Sequence, residues 1–135
     1  MTTVKITENT VAIIKETLQG PEGPGGSAEV GVWGSSSEVT IVSGVAALSG
    51  EGYYGIDTES DDASDALTQV TGLVDGDEII LKPENDARTV VVTHGTNLKL
   101  SNGANFTMNS AYDRIRLQCI GSDTCVELSR SSNGS

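Results

Sequence analysis

The segment from residue 114 to residue 129 decides the fold class of this chain. It reads RIRLQCI over 114–120, GSDT over 121–124 and CVELS over 125–129. Apolar residues alternate with charged or polar ones along its first part, and a period of two is typical of a strand with one buried face. Because GSDT is rich in turn residues, the segment predicts two strands joined as an antiparallel hairpin.

The same signals continue back towards residue 38, where short apolar runs are separated by Gly, Asn and Pro turns. We predict a mainly β fold, an antiparallel β-sandwich or meander, with a single helical turn possible over 61–69. The predicted strands are 39–42, 77–81, 89–94, 98–100, 106–108, 114–120 and 125–129.

The hairpin register decides what the two cysteines can do. A two-residue turn at Ser122 and Asp123 pairs Cys119 with Val126 and sends the two thiols to opposite faces of the sheet. We favour this register, and with it two free thiols, because a slip by one residue would expose the apolar residues of the second strand. A three-residue loop, which brings Cys119 opposite Cys125, is the alternative.

Charge and composition exclude several classes of protein. The 135 residues carry a net charge of −11, and no Lys or Arg occurs between Glu16 and Leu81. Binding to nucleic acid needs clustered basic residues, so we do not expect it. No apolar run reaches the roughly 18 residues of a membrane span, and we expect neither a membrane segment nor a secretory signal. With 36% hydrophobic and 4% aromatic residues, one copy has little material for a thick core.

The motifs that could support catalysis or cofactor binding are incomplete. The glycine spacing GEGYYG at 50–55 matches a dinucleotide-binding loop. The segment that follows it, however, is acidic and strand-like, whereas the motif requires a helix there. His94 is the single histidine, and a strand-end residue with a satisfied ring is the expected reading. The acidic run 57–65 lacks the oxygen spacing and central Gly of an EF-hand loop. We therefore predict no enzyme, cofactor or metal site.

Residues 1–20 form an apolar arm that has no core of its own. Its Val and Thr content favours extended structure, although a helical face is also compatible with the spacing. Such an arm needs a partner surface, so we predict that it anchors the protein. The candidate anchoring residues are Val4, Ile6, Val11, Ile13, Ile14 and Leu18.

A Gly-X-Y fragment follows the arm and opens the predicted joint at 21–37. Glycine at every third position is the requirement of a collagen triple helix, in which only Gly fits at the axis. Two triplets are too short for a stable triple helix, so a plain Pro/Gly linker is the alternative reading. The candidate joint residues are Gly20, Pro21, Gly23, Pro24 and Gly26.

Residues 56–130 contain a series of strand and turn segments in a fixed order. They are LTQVTG (67–72), GDEIILKP (76–83), RTVVVTHG (88–95), NLKL (97–100), NFTM (105–108), YDRIRL (112–117) and TCVELSR (124–130). This series resembles a small β-rich domain found at the ends of bacteriophage tail-fibre and other virion-surface proteins, and the arm and the Gly-Pro joint are similar to a fibre N-terminus. In that family the last strand usually carries Trp where this sequence has Cys125.

The resemblance implies an intertwined homotrimer on a phage particle: a short spike, head fibre or decoration protein made in the host cytoplasm. Its partners would be two further copies and the major capsid or tail proteins. The run Thr89–Val92, apolar on both faces, is compatible with a strand buried on both sides. The implied organisation is an anchoring arm (1–20), a joint (21–37), a trimeric β body (38–130) and a disordered tail (131–135). The alternative is a tail-fibre adhesin that binds a host-surface glycan or protein.

Overall fold

The computed structural model describes residues 35–134, and this part of the chain is mainly β with almost no helix. The prediction of a mainly β fold is therefore confirmed. Two short 3-10 segments occur, at Glu59–Asp61 and Ser101–Gly103. The strands are β1 (Ser37–Thr40), β2 (Val45–Ala47), β3 (Gly52–Asp57), β4 (Ser64–Leu67), β5 (Gln69–Thr71), β6 (Glu78–Pro83), β7 (Thr89–Val92), β8 (Leu98–Lys99), β9 (Phe106–Met108), β10 (Arg114–Cys119) and β11 (Cys125–Ser131).

The strands form three sheets. The six-stranded sheet has the order β1-β3-β6-β10-β11-β8, the three-stranded sheet has the order β4-β7-β9, and β2 pairs with β5 alone. The chain passes from the first sheet to the others and returns, so that β1, β3 and β6 stack in parallel, as do β4 with β7 and β2 with β5. The first half of the described region is therefore solenoid-like.

The prediction of an antiparallel sandwich or meander is wrong for this half. Only β6–β10, β10–β11 and β7–β9 pair antiparallel. Parallel neighbours require a crossover, and here the crossover is built from short strands of the other sheets instead of a helix. An alternating pattern reveals the buried face of a strand but not the direction of its partner. The parallel pairing therefore could not be predicted from the sequence pattern.

All seven predicted strands are present, with ends shifted by up to two residues. Strands β2 to β5 were missed, and the helical turn considered for 61–69 is not formed, because β4 and β5 occupy most of that segment. β3 has the sequence GYYGID, whose glycines resemble turn text. Gly55 is nevertheless a strand residue, and the side chain of Glu84 occupies the space that a Cβ atom at this position would need.

The core lies between the sheets and is filled by alternate strand residues. In β6 and β10 the buried residues include Ile79, Leu81, Ile115 and Leu117, each fully buried. Val90 and Val92 of β7 are also fully buried, whereas Thr89 and Val91 on its other face are partly exposed. One contiguous cluster of twenty buried apolar residues results, and the two cysteines belong to it.

The hairpin between β10 and β11 adopts the alternative register. Cys119 lies opposite Cys125, Gln118 opposite Val126 and Leu117 opposite Glu127. Both thiols therefore point inward, and the favoured register with opposed thiols is wrong. A β-bulge at Arg116/Leu117 in the pairing takes up one extra residue of β11, which shifts the register of the remaining strand.

The favoured register failed because it assumed that every inward residue of β11 is apolar. Glu127 instead points inward and receives two hydrogen bonds from Arg130, at 2.7 Å on Oε1 and 2.6 Å on Oε2. The Arg130 guanidinium lies 5.0 Å from the centre of the Phe106 ring and also donates to the carbonyl groups of Ala104 and Asn105. A paired charge can occupy a buried position that an isolated one cannot.

Candidate interaction surface

The six-stranded sheet is the largest of the three sheets in the described residues, and we call its outward side the outer face. Because the inward residues of β6 and β10 are buried, the residues between them point outward. Leu128, the extra residue at the bulge, and Ile120, at the end of the hairpin, are 44% and 50% exposed. By register, the outer face contains Glu38, Thr40, Tyr53, Gly55, Asp57, Glu78, Ile80, Lys82, Lys99, Arg114, Arg116, Gln118, Ile120, Val126, Leu128, Ser129 and Ser131.

Apolar and aromatic side chains occupy the middle of the outer face. Tyr53 of β3 lies beside Ile80 of β6, and Ile80 lies beside Arg116 of β10. Tyr53 and Ile80 are both partly buried within one copy. Ile80 belongs to the run Ile79-Ile80-Leu81, which offers apolar side chains to both sides of the sheet. That run was the sequence signal for an apolar outer face, although the sequence analysis did not single it out.

The arginines of the outer face are held in place by neighbouring residues. The Arg114 guanidinium lies 5.6 Å from the centre of the Tyr53 ring and donates a hydrogen bond of 2.9 Å to Tyr53 Oη. Arg116 pairs with Glu78, with Nε 3.2 Å from Oε1. Side chains already ordered in one copy lose less conformational entropy when a partner covers them.

Gly55 keeps the outer face flat at β3. A Cβ atom at this position would lie 1.9 Å from Glu84 Oε1 and 3.3 Å from Lys82 Nζ. These two side chains form an ion pair of 3.3 Å directly over the β3 backbone. The glycine spacing that resembles a dinucleotide-binding loop therefore lies in and beside a strand, and only a three-residue 3-10 segment follows β3.

Charge distinguishes the outer face from the rest of the described residues. Residues 35–134 carry 15 Asp and Glu but only 6 Lys and Arg, a net charge of −9. Four of the basic and four of the acidic residues lie at or over the outer face, which is therefore neutral, so the remainder carries −9. They are Lys82, Lys99, Arg114 and Arg116 against Glu38, Asp57, Glu78 and Glu84, whose side chain lies over Gly55.

The acidic run after β3 is organised around one arginine. Arg88 Nη1 lies 2.6 Å from Asp57 Oδ2 and 2.9 Å from Asp61 Oδ1. Burial would raise the pKa of the Asp57 carboxyl, but hydrogen bonds from Arg88 and from the Thr58 N–H keep the pKa below its ordinary value. Among residues 35–134 no group of three or more acidic, His or Cys side chains is arranged to hold a metal ion.

His94 has a structural partner, as its place at a strand end suggested. Its ring Nδ1 accepts a hydrogen bond of 3.0 Å from the Leu100 N–H, and the backbone N–H of His94 donates to Asn105 Oδ1. The ring is thereby tied to the loop between β8 and β9. His94 therefore stabilises the loop between β8 and β9.

The predicted anchoring and joint residues lie outside the described part of the chain. These are Val4, Ile6, Val11, Ile13, Ile14 and Leu18 in the arm, and Gly20, Pro21, Gly23, Pro24 and Gly26 in the joint. The expected tail begins inside β11, and Asn133 and Gly134 donate hydrogen bonds to Asp113 Oδ1. None of the helical segments within 35–134 is long and apolar enough to cross a membrane.

No protein-family model matches this chain, and no curated protein or solved structure was found to be similar to it. Arguments about function therefore depend on the residues themselves. The outer face differs from the rest of the described residues in its charge, and it carries ordered arginine side chains beside tyrosine and aliphatic residues.

Proposed function

We propose that this chain is a structural protein on the surface of a bacteriophage particle, a short trimeric spike, head fibre or decoration protein anchored by its N-terminal arm. The body of the trimer would be three copies packed through their outer faces around a threefold axis. The observation that carries the proposal is the nearly neutral outer face, rich in arginine, tyrosine and aliphatic residues, on a chain that is otherwise strongly acidic.

Electrostatics favours the outer face for contact between copies. Three acidic chains repel each other through any other surface, because the described residues beyond this face carry −9. On the outer face, Arg114 and Arg116 can lie near Glu78 or Glu38 of a neighbouring copy. Arginine and aromatic residues are enriched in protein interfaces, while lysine and acidic residues are depleted there.

The fold also suits assembly. A chain with few apolar residues gains stability by burying a second apolar surface between copies, and Tyr53, Ile80, Val126 and Leu128 would supply it. The resemblance of residues 56–130 to virion-surface domains supports a place on a phage particle. The outward acidic surfaces would then face the medium, and solvated charge disfavours aggregation of particles.

The location on the particle can be tested by labelling. Antibodies against the β body should decorate intact particles at regular positions in electron micrographs. Particles that lack this protein should adsorb to host cells normally but lose resistance to heat or low salt. Purified particles that contain none of the protein would contradict the proposal.

The anchoring role of the arm can be tested separately. A chain starting at Ser27 should still trimerise, because the outer face is intact, but should fail to join particles. If the shortened chain joins particles as well as the full chain does, the arm is not the anchor. If particles lacking the protein cannot adsorb, the adhesin alternative holds instead.

A further inference from the structure

Cys119 and Cys125 face each other across the β10–β11 hairpin with their backbone donors turned away from each other. The Cys119 N–H donates to the Asp77 carbonyl at 2.8 Å, and the Cys125 N–H donates to the Asn97 carbonyl at 2.9 Å. The next pair along the hairpin is hydrogen-bonded, from the Ile120 N–H to the Thr124 carbonyl. Alternation along an antiparallel ladder makes the cysteines a non-hydrogen-bonded pair.

This type of pair holds the two side chains close together. Its Cα atoms are typically about 4.5 Å apart, which lies within the range of about 4.4–6.8 Å that disulfides span. Both side chains point inward, with 1% exposure for Cys119 and none for Cys125. The thiols are free, and Cys119 Sγ donates to the Gly121 carbonyl.

We infer that the facing thiols of Cys119 and Cys125 are a redox modification site, at which a small-molecule disulfide such as oxidised glutathione closes a cross-strand disulfide. This inference does not depend on the proposed function, since it follows from the hairpin register alone. The bond would lock that register at the end of the six-stranded sheet.

The chemistry proceeds in two balanced exchange steps. The thiolate of one cysteine attacks a sulfur of oxidised glutathione, which forms a mixed disulfide and releases one glutathione thiolate. The second cysteine loses its proton and attacks the protein sulfur of the mixed disulfide, which forms the Sγ–Sγ bond and releases the second glutathione. The protein loses two protons and two electrons, and one glutathione disulfide is reduced to two glutathione thiols.

The surroundings control when this reaction can occur. Burial and the neighbouring Cys119 raise the pKa of Cys125 to about 12, so few thiolates form while the hairpin is closed. The loop at 121–123 is the nearest exposed segment, and its opening would admit the oxidant. In a reducing cytoplasm the pair stays as thiols, whereas outside the cell it can be oxidised.

The test uses the full chain, purified with reductant and then incubated with oxidised glutathione at mildly alkaline pH. Trypsin cleaves after Arg116 and Arg130, so one peptide, 117–130, contains both cysteines. We expect this peptide to lose two hydrogens without a glutathione adduct, and the denatured protein to show no reactive thiols. The circular dichroism spectrum of the oxidised protein should match that of the reduced protein.

Two variants and one control complete the design. Cys119→Ser and Cys125→Ser should each retain a stable glutathione adduct at the remaining cysteine, because no second thiol can displace it. The wild-type chain oxidised in denaturant shows that the reagent works. The inference is overturned if the folded wild-type chain keeps two thiols or stable adducts, or if it closes the bond only with loss of its β spectrum.

Discussion

Asp113 is fully buried, yet its surroundings favour the charged form. Burial would raise the pKa of the Asp113 carboxyl, but backbone N–H groups of Gly134, Asn133 and Asn109 donate to its oxygens and hold the pKa below its ordinary value. One side chain thereby ties the residues after β11 to the loop before β10. The Asp113 carboxylate therefore has a structural role.

Replacing Asp113 by Asn should destabilise the protein at neutral pH. Asn offers one acceptor oxygen and places an N–H₂ group against backbone donors, so a buried donor is left unsatisfied at a cost of about 1–3 kcal/mol. Urea unfolding at neutral pH measures the difference. Asp75→Asn, in the exposed turn before β6, is the matched control and should change stability little.

The same variant should be less sensitive to acid than the wild type. Because the folded pKa of Asp113 is lowered, its contribution is present above the unfolded pKa near 4 and is lost as pH falls through the folded pKa. The stability gap between the wild type and Asp113→Asn should therefore narrow below about pH 4. An unchanged gap in acid would show that Asp113 is not held ionised.

Cys125 should make the reduced protein sensitive to alkali. Its pKa is raised from 9.0 to about 12, so its contribution is complete below the unfolded pKa and is lost as pH rises from about 9 towards 12. In the presence of reductant, Cys125→Ala should lose less stability than the wild type over this range. Parallel stability curves for the two proteins would contradict the assignment.

At the scale of elements, the alternating pattern identified strands but not their neighbours. Ile115 and Leu117 marked the buried face of β10, and the structure agrees. The parallel pairing of β1, β3 and β6 was not predicted because no local signal fixes strand direction. Glu127 misled the register argument, since its partner Arg130 and the loop that covers it become visible only in three dimensions.

For the candidate site, the sequence supplied the residues but not the surface. Arg114, Arg116 and Gln118 were recognised as the wet side of a strand. Their placement beside Tyr53 depends on β3, which was missed. The accumulation of basic residues on one face also arises from the register, because Lys82 and Arg114 are distant in sequence.

The parallel stacking depends on close backbone contact at Gly72. Its φ is +88°, and a Cβ atom would lie 1.9 Å from the carbonyl oxygen of Leu48, the residue that follows β2. Gly76 has a similar φ of +95° but open space around it. An alanine at either position would have a strained backbone, but only an alanine at Gly72 would also collide with a neighbouring atom.

Gly72→Ala should be clearly more destabilising than Gly76→Ala. Both variants force alanine into the left-handed region, at a cost of about 1–2 kcal/mol. Gly72→Ala adds an overpacking cost of about 1–3 kcal/mol, because the Leu48 backbone must move. Denaturant unfolding at equal protein concentration measures both. Equal losses of stability in the two variants would mean that the segments after β2 and β5 are not packed closely at Gly72.

At the scale of the whole molecule, the proposed trimer places its least charged surface at the threefold axis. Leu128→Glu adds a charge at the outer face and should weaken association at least about tenfold. Val42→Glu is the matched control, because Val42 is also an exposed aliphatic residue, at 61%, but lies in the turn between β1 and β2. Sedimentation of both variants over a dilution series gives the comparison. Equal association of the two variants would remove the outer face from the interface.

The mass of the full chain in solution is the most direct test of the proposed assembly. Each chain has a mass of 14.0 kDa, and light scattering on the purified protein at micromolar concentration should give about three times this value. Reduced and oxidised samples should agree, since the cysteines point inward and away from the outer face. A mass of one chain under these conditions would contradict the trimer and the function proposed from it.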